Sequence, residues 1–160
     1  MERWRGFWRL KPGERRIVLE AAAVLSATWT GLRVFGFRRW NATIERFTLE
    51  KSAEAGRRNA SRVNPSTVDM ASAIVLKLDI AARHLFLRTN CLERSLALRW
   101  LLRRRGIVTE LRIGARKELE LFEAHAWIEL DGVVLNDPDE AHLHFAPFNG
   151  EITALETQTR

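Results

Sequence analysis

The chain has 160 residues and a mass of 18.5 kDa, enough for one domain, or one domain with a short helical annex. With 46% hydrophobic and 29% charged residues its composition is globular, which excludes wholesale disorder and a collagen-like fibre. A net charge of +6 raises nucleic acid, anionic lipid or acidic peptide as partners.

The position of that charge narrows the choice. Residues 1–40 carry nine basic residues (Arg3, Arg5, Arg9, Lys11, Arg15, Arg16, Arg33, Arg38, Arg39) against Glu2, Glu14 and Glu20, so the whole excess lies there. Residues 41–160 hold 17 of each sign and offer no basic stripe, so nucleic acid is not expected as a partner. Cys91 is the single cysteine, which excludes an internal disulfide, a multi-cysteine zinc finger and an iron–sulfur site. An unpaired thiol suits a reducing compartment, and a cytoplasmic location is expected.

In chain order, residues 1–40 also hold four of the six tryptophans, Trp4, Trp8, Trp29 and Trp40. The apolar stretch from Ile17 to Leu32 predicts a buried or interfacial helix over about 14–37. Arg16 and Arg33 enclose sixteen residues including Glu20, fewer than the roughly 20 that span a bilayer, and membrane contact is not expected. A second helical stretch is expected near Ile44–Glu54. The run from Gly56 to Pro65 reads as a connector. Ser66, Thr67 and Asp69 open another helix, with Met70, Ile74, Leu78 and Ala81/Ala82 on its apolar face, to about Phe86. Thr89-Asn90 then caps a strong helix over Cys91–Arg105, ended by Gly106.

Beyond Gly106 the period changes from helical to alternating. Val108–Ala115 and Glu123–Leu130 read as strands, and Asp131-Gly132 is a two-residue hairpin signal leading into Val133–Asn136. A fourth short strand is expected around His142–Phe148, before a loose tail. Helices first and an antiparallel meander afterwards make the fold class α+β.

Three residues in this layout suit thiol acyl-transfer chemistry. Cys91 stands at a helix start, where unpaired N–H groups and the helix dipole favour a thiolate. His125 lies mid-strand. In a hairpin turning at 131–132 it pairs opposite position 138, beside Asp137. Nucleophile, base and orienting acid would then meet. Asn136 is the alternative orienter. Asn90 is either an oxyanion donor or simply the helix cap, and Trp127, two residues from His125, is a core aromatic or a wall of the site. His142 and His144, two apart on the expected strand, match no zinc motif, so neither a metal nor a cofactor is expected. Arg103-Arg104-Arg105 reads as a solvated helix end rather than a phosphate site.

The stretches Asn90-Cys91-Leu92-Glu93-Arg94-Ser95-Leu96-Ala97-Leu98, Leu101-Leu102-Arg-Arg-Arg-Gly106-Ile107, Leu111-Arg-Ile-Gly114, Phe122-Glu-Ala-His125-Ala-Trp127-Ile-Glu129, Asp131-Gly132 and Leu135-Asn-Asp137 resemble a known family. It is the C-terminal domain of the microcin-processing B proteins, the transglutaminase-like leader peptidases of lasso peptide biosynthesis. The resemblance covers residues 89–138 closely. Leu10-Lys-Pro-Gly-Glu-Arg-Arg is similar to the helical lead-in of the family's stand-alone form. The resemblance implies a papain- and transglutaminase-like fold with Cys91, His125 and Asp137 as a catalytic triad. It also implies an activity, removal of the leader from a ribosomally made precursor. The chain then divides into a basic, Trp-rich helical region over 1–65 and a transglutaminase-like peptidase core over 66–160. Implied partners are the precursor's leader, a separate leader-recognition protein and the macrolactam cyclase, with residues 1–40 as a candidate docking surface. Two other functions keep some of the same features: acyl transfer to an amine, and a catalytically idle basic adaptor.

Overall fold

A computed structural model of the chain describes residues 11–58 (side chains to 48), 65–118, 121–137 and 139–148. Among these residues three helices precede a curled four-stranded antiparallel sheet, so the fold is α+β as the sequence implies. The elements are α1 (Pro12–Arg58), α2 (Pro65–His84), α3 (Cys91–Arg103), β1 (Glu110–Glu118), β2 (Leu121–Leu130), β3 (Val133–Val134) and β4 (Ala146–Pro147). A 3₁₀ turn, Ala141–His144, precedes β4, and the sheet order is β3-β2-β1-β4.

The first difference from the sequence expectation is α1. The two helices expected near 14–37 and 44–54 form one helical run with a kink at Gly36, whose φ of 73° and ψ of 171° suit only glycine. Five residues earlier Gly31 lies beneath the Trp40 ring, where an added Cβ would sit 2.3 Å from a ring carbon. Trp40 also meets Trp100 of α3 edge-on at 5.7 Å. Helical backbone continues to Arg58, into the start of the expected connector, while residues 59–64 of that connector lie outside the described residues.

By length and composition alone, the Pro12–Thr48 part of α1 suffices to cross a membrane. In this fold Val18, Ala21, Val24 and Leu25 are instead buried in the core with Ala71, Ile74, Leu78 and Ala81 of α2. Leu98, Leu101 and Leu102 of α3 and Ile128 and Leu130 of β2 complete that core. Replacing one of the fully buried leucines by alanine costs roughly 2–5 kcal/mol. The buried stripe of α2 begins at Ala71. Met70, expected inside, is 48% exposed. Ion pairs fasten α1 to its neighbours: Glu14 to the buried Lys77 at 2.6 Å, and Glu20 to Arg105 at 2.7 Å and Arg104 at 3.5 Å. The arginine run after α3 is thus partly tied back to α1.

Helix α3 starts and stops where its sequence directs. The Asn90 side-chain oxygen accepts the Glu93 backbone N–H at 2.9 Å, and the Glu93 carboxylate accepts the Asn90 N–H at 2.9 Å, a complete capping box. At the other end Ile107 N–H bonds to the Leu102 carbonyl and Gly106 N–H to that of Arg103. Gly106 is left-handed at φ 77°, so the end is a Schellman motif.

The Asp131-Gly132 turn has positive φ at both positions (46° and 82°), as a type I′ hairpin requires. Its register, Leu130↔Val133 and Glu129↔Val134, is the expected one. β3 is shorter than expected, however, and the expected strand at 142–148 is a 3₁₀ turn followed by two β residues opposite Gly114 and Ala115. Phe145 and Trp127 crowd Gly114 there, with Phe145 Cβ 2.9 Å from where a glycine substituent would start.

Candidate active site

Strand β2 alternates. Ala126, Ile128 and Leu130 are buried, the latter two in the helical core, while His125, Trp127 and Glu129 point to the opposite face. Extending the hairpin register would pair Asp137 with Ala126 and turn it to the core face, away from His125. That does not happen, because the ladder is diverted after Leu135. Leu135 N–H still bonds to the Ile128 carbonyl at 2.9 Å. The returning bond from Ile128 N–H goes instead to the side-chain oxygen of Asn136, at 2.8 Å. The Asn136 amide donates to Ser95 Oγ on α3 (2.9 Å), and Ser95 donates to the Ala126 carbonyl (2.9 Å).

This clip turns the chain, and Asp137 arrives on the His125 side. Its Oδ1 lies 3.3 Å from His125 Nε2, at ion-pair distance. Its Oδ2 accepts the His142 backbone N–H at 2.6 Å and faces His142 Nδ1 at 2.8 Å. The Asp137 side chain is 6% exposed. Burial works to raise its pKa, but the backbone and ring of His142, followed by His125, outweigh burial and hold it below the usual carboxylate value.

Cys91 is the first residue of α3 and half-buried. It lines one cleft of about 310 Å³ with His125, Asp137, Asn136, Thr89 and Arg94. Arg94 pairs with Asp79 at the rim. In the first turn of α3, the buried Glu93 carboxylate is paired with Arg33 of α1 at 2.7 Å. Arg33 in turn lies 3.8 Å over the Trp29 ring.

The structure therefore brings Cys91, His125 and Asp137 to one cleft. Asn136, the alternative orienter, is committed to the clip. The oxygen of Asn90 is committed to the cap, leaving its amide as the candidate oxyanion donor. Trp127, the candidate wall of the site, is buried and packs against the imidazoles without lining the cleft itself, its ring 5.9 Å from His125 and 5.8 Å from His142. His142 and His144 share a 3₁₀ turn rather than a strand face, and only His142 turns to Asp137. Among the described residues no cluster of three or more His, Cys, Asp or Glu side chains suits a metal. Of the basic docking candidates, Arg3, Arg5 and Arg9 lie outside the described residues.

Two contributors escaped the sequence reading, Ser95 and His142. A signal existed for Ser95: it is a small polar residue one helical turn after Cys91, on the same face of the helix. For His142 there was none, since its contact depends on the 3₁₀ turn.

A thiol at a helix N-terminus, facing the same cleft as an imidazole–carboxylate pair on an antiparallel sheet, is the arrangement thiol-dependent acyl transfer requires. The family model of the transglutaminase-like superfamily matches residues 31–149, and the chain belongs to that superfamily, which includes cysteine peptidases and acyltransferases. Comparison with curated proteins and with solved structures returns no match.

Proposed function

We propose that this protein is a cysteine peptidase that removes the leader from a ribosomally made lasso precursor, leaving the core for a separate cyclase. The observation that carries the chemistry is the His125–Asp137 pair at 3.3 Å on the cleft that Cys91 enters from the start of α3. The identity of the substrate rests on the resemblance of residues 89–138 to the leader peptidases.

With Nε2 of His125 turned to Asp137, Nδ1 is the ring nitrogen that serves the thiol. It takes the Cys91 proton, and the thiolate attacks the scissile carbonyl. The oxyanion is met by the Cys91 backbone N–H, free at the first turn of a helix, with the Asn90 amide as candidate second donor. The imidazolium protonates the leaving amine, the core's new N-terminus. Water, deprotonated by His125, then attacks the thioester carbonyl; the C–S bond breaks, the leader leaves with a C-terminal carboxylate, and Cys91 recovers its proton from the imidazolium. Asp137 holds the ring and stabilises its charged form throughout.

The reaction takes place in the cytoplasm without a cofactor, with a separate recognition protein delivering the leader and the cyclase as a further partner. Mass spectrometry of the cognate precursor, incubated with this protein and the recognition protein, should show leader and core as separate products. Cys91→Ala should leave the precursor intact at an unchanged melting temperature. Cleavage by the Cys91→Ala protein would overturn the assignment.

A further inference from the structure

We propose that His142 is a positioning residue of the site, holding one oxygen of Asp137 from the 3₁₀ turn so that the other is presented to His125. The proposal deepens the catalytic roles given above and rests on them. Asp137 follows the point where the strand ladder is diverted and belongs to no strand, so the sheet does not hold it in place. His142 supplies two donors to a single oxygen, the backbone N–H at 2.6 Å and the ring at 2.8 Å. Two donors converging on Oδ2 hold that oxygen and leave Oδ1 on the His125 side, 3.3 Å from Nε2, a buried nitrogen with no hydrogen-bond partner in the resting arrangement. Catalytic groups tolerate errors of only about 0.5 Å or 10–20° in such placement.

The ring of His142 is itself supported. Trp127 packs against both imidazoles, and its indole N–H donates to Glu129 at 2.7 Å. The other Glu129 oxygen takes the Arg112 guanidinium at 3.0 Å. Phe145, the residue after the turn, lies 5.2 Å from the His125 ring and closes the far side. A carboxylate only accepts, so Nδ1 of His142 must carry a proton. His142 therefore has a defined tautomer, protonated on Nδ1.

The test is the rate at which iodoacetamide alkylates Cys91 at pH 7 in the full-length protein, alongside 15N NMR of the imidazoles. His142→Ala keeps the backbone donor and loses the ring donor, and should slow alkylation roughly tenfold, about one charge-assisted hydrogen bond. His142→Asn, whose amide nitrogen substitutes for Nδ1, should recover most of that rate. A residue that merely anchors its own turn would lose stability in His142→Ala without this pattern of loss and rescue. His125→Ala separates the two levels of the argument. If His125→Ala slows labelling but His142→Ala does not, this proposal alone fails. If His125→Ala labels at the wild-type rate, the catalytic pair fails and takes the proposal with it. In the unaltered protein, NMR must find His142 Nδ1 protonated; a neutral ring with its proton on Nε2 would overturn the proposal without any substitution.

Discussion

Asn136→Ala removes both bonds of the clip in one step. The side chain accepts from Ile128 N–H and donates to Ser95, at 2.8 and 2.9 Å. The bond to Ser95 is worth about 1 kcal/mol net, and a buried donor left without a partner costs roughly 1–3 kcal/mol. Ile128 is fully buried, so its N–H becomes that donor. Ser95 keeps its bond to the Ala126 carbonyl and suffers less. The expected loss is about 2–4 kcal/mol, which lowers the melting temperature by roughly 5–15 °C for a chain of this size. The site should suffer beyond the loss of stability. Without the clip the strand ladder can continue, and that register, which turns Asp137 toward the core, competes with the contacts to His142 and His125. Thermal unfolding by circular dichroism, paired with Cys91 alkylation well below the variant's melting temperature, measures both effects. Asn136→Asp keeps the acceptor and loses the amide donor, so it should fall between the two proteins. An Asn136→Ala protein that melts within 2 °C of wild type, with unchanged thiol reactivity, would refute the clip's role.

Three further outcomes concern Asp137, Gly36 and Gly31. The folded-state pKa of Asp137 lies below its unfolded value, so its ionised form stabilises the fold. That contribution is complete above the unfolded value near pH 4 and is lost as pH falls through the folded one. The stability gap between wild type and Asp137→Asn, from urea titrations, should therefore narrow steadily from about pH 5 downward; parallel curves would contradict it. Gly36→Ala meets nothing within 4 Å, so its cost is purely conformational, roughly 1–3 kcal/mol for φ 73° and ψ 171°. Gly31→Ala costs stability differently, by driving Cβ into Trp40, and adding Trp40→Leu should relieve it. Denaturation that ranks Gly36→Ala level with wild type would contradict the kink.

Much of the molecule was legible in the sequence because it is locally encoded. Asn90 and Gly106 bound α3 through caps built from neighbours in the chain, and Asp131-Gly132 dictates its own turn and register. The three candidate catalytic positions followed from those elements and from the family motif. The side of the sheet that Asp137 faces did not, because it depends on Ser95, which is 41 residues from Asn136. A pattern of period two assumes the ladder continues, and a side chain that substitutes for a backbone acceptor leaves no mark on that pattern. Met70 was misplaced for a related reason. Ala71, Ile74, Leu78 and Ala81 face the core, but α1 decides which neighbouring face is covered.

The superfamily match begins at residue 31, part-way along α1. A fragment cut there for crystallisation, or moved into a chimeric enzyme, would be short of Val18, Ala21, Val24 and Leu25. It would also strand Lys77 and Arg105 without Glu14 and Glu20. A cut a few residues later would remove Arg33 and leave the buried Glu93 carboxylate of the capping box without that ion-pair partner. A unit that keeps all of these contacts is therefore longer than the family signature, and starts no later than Glu14.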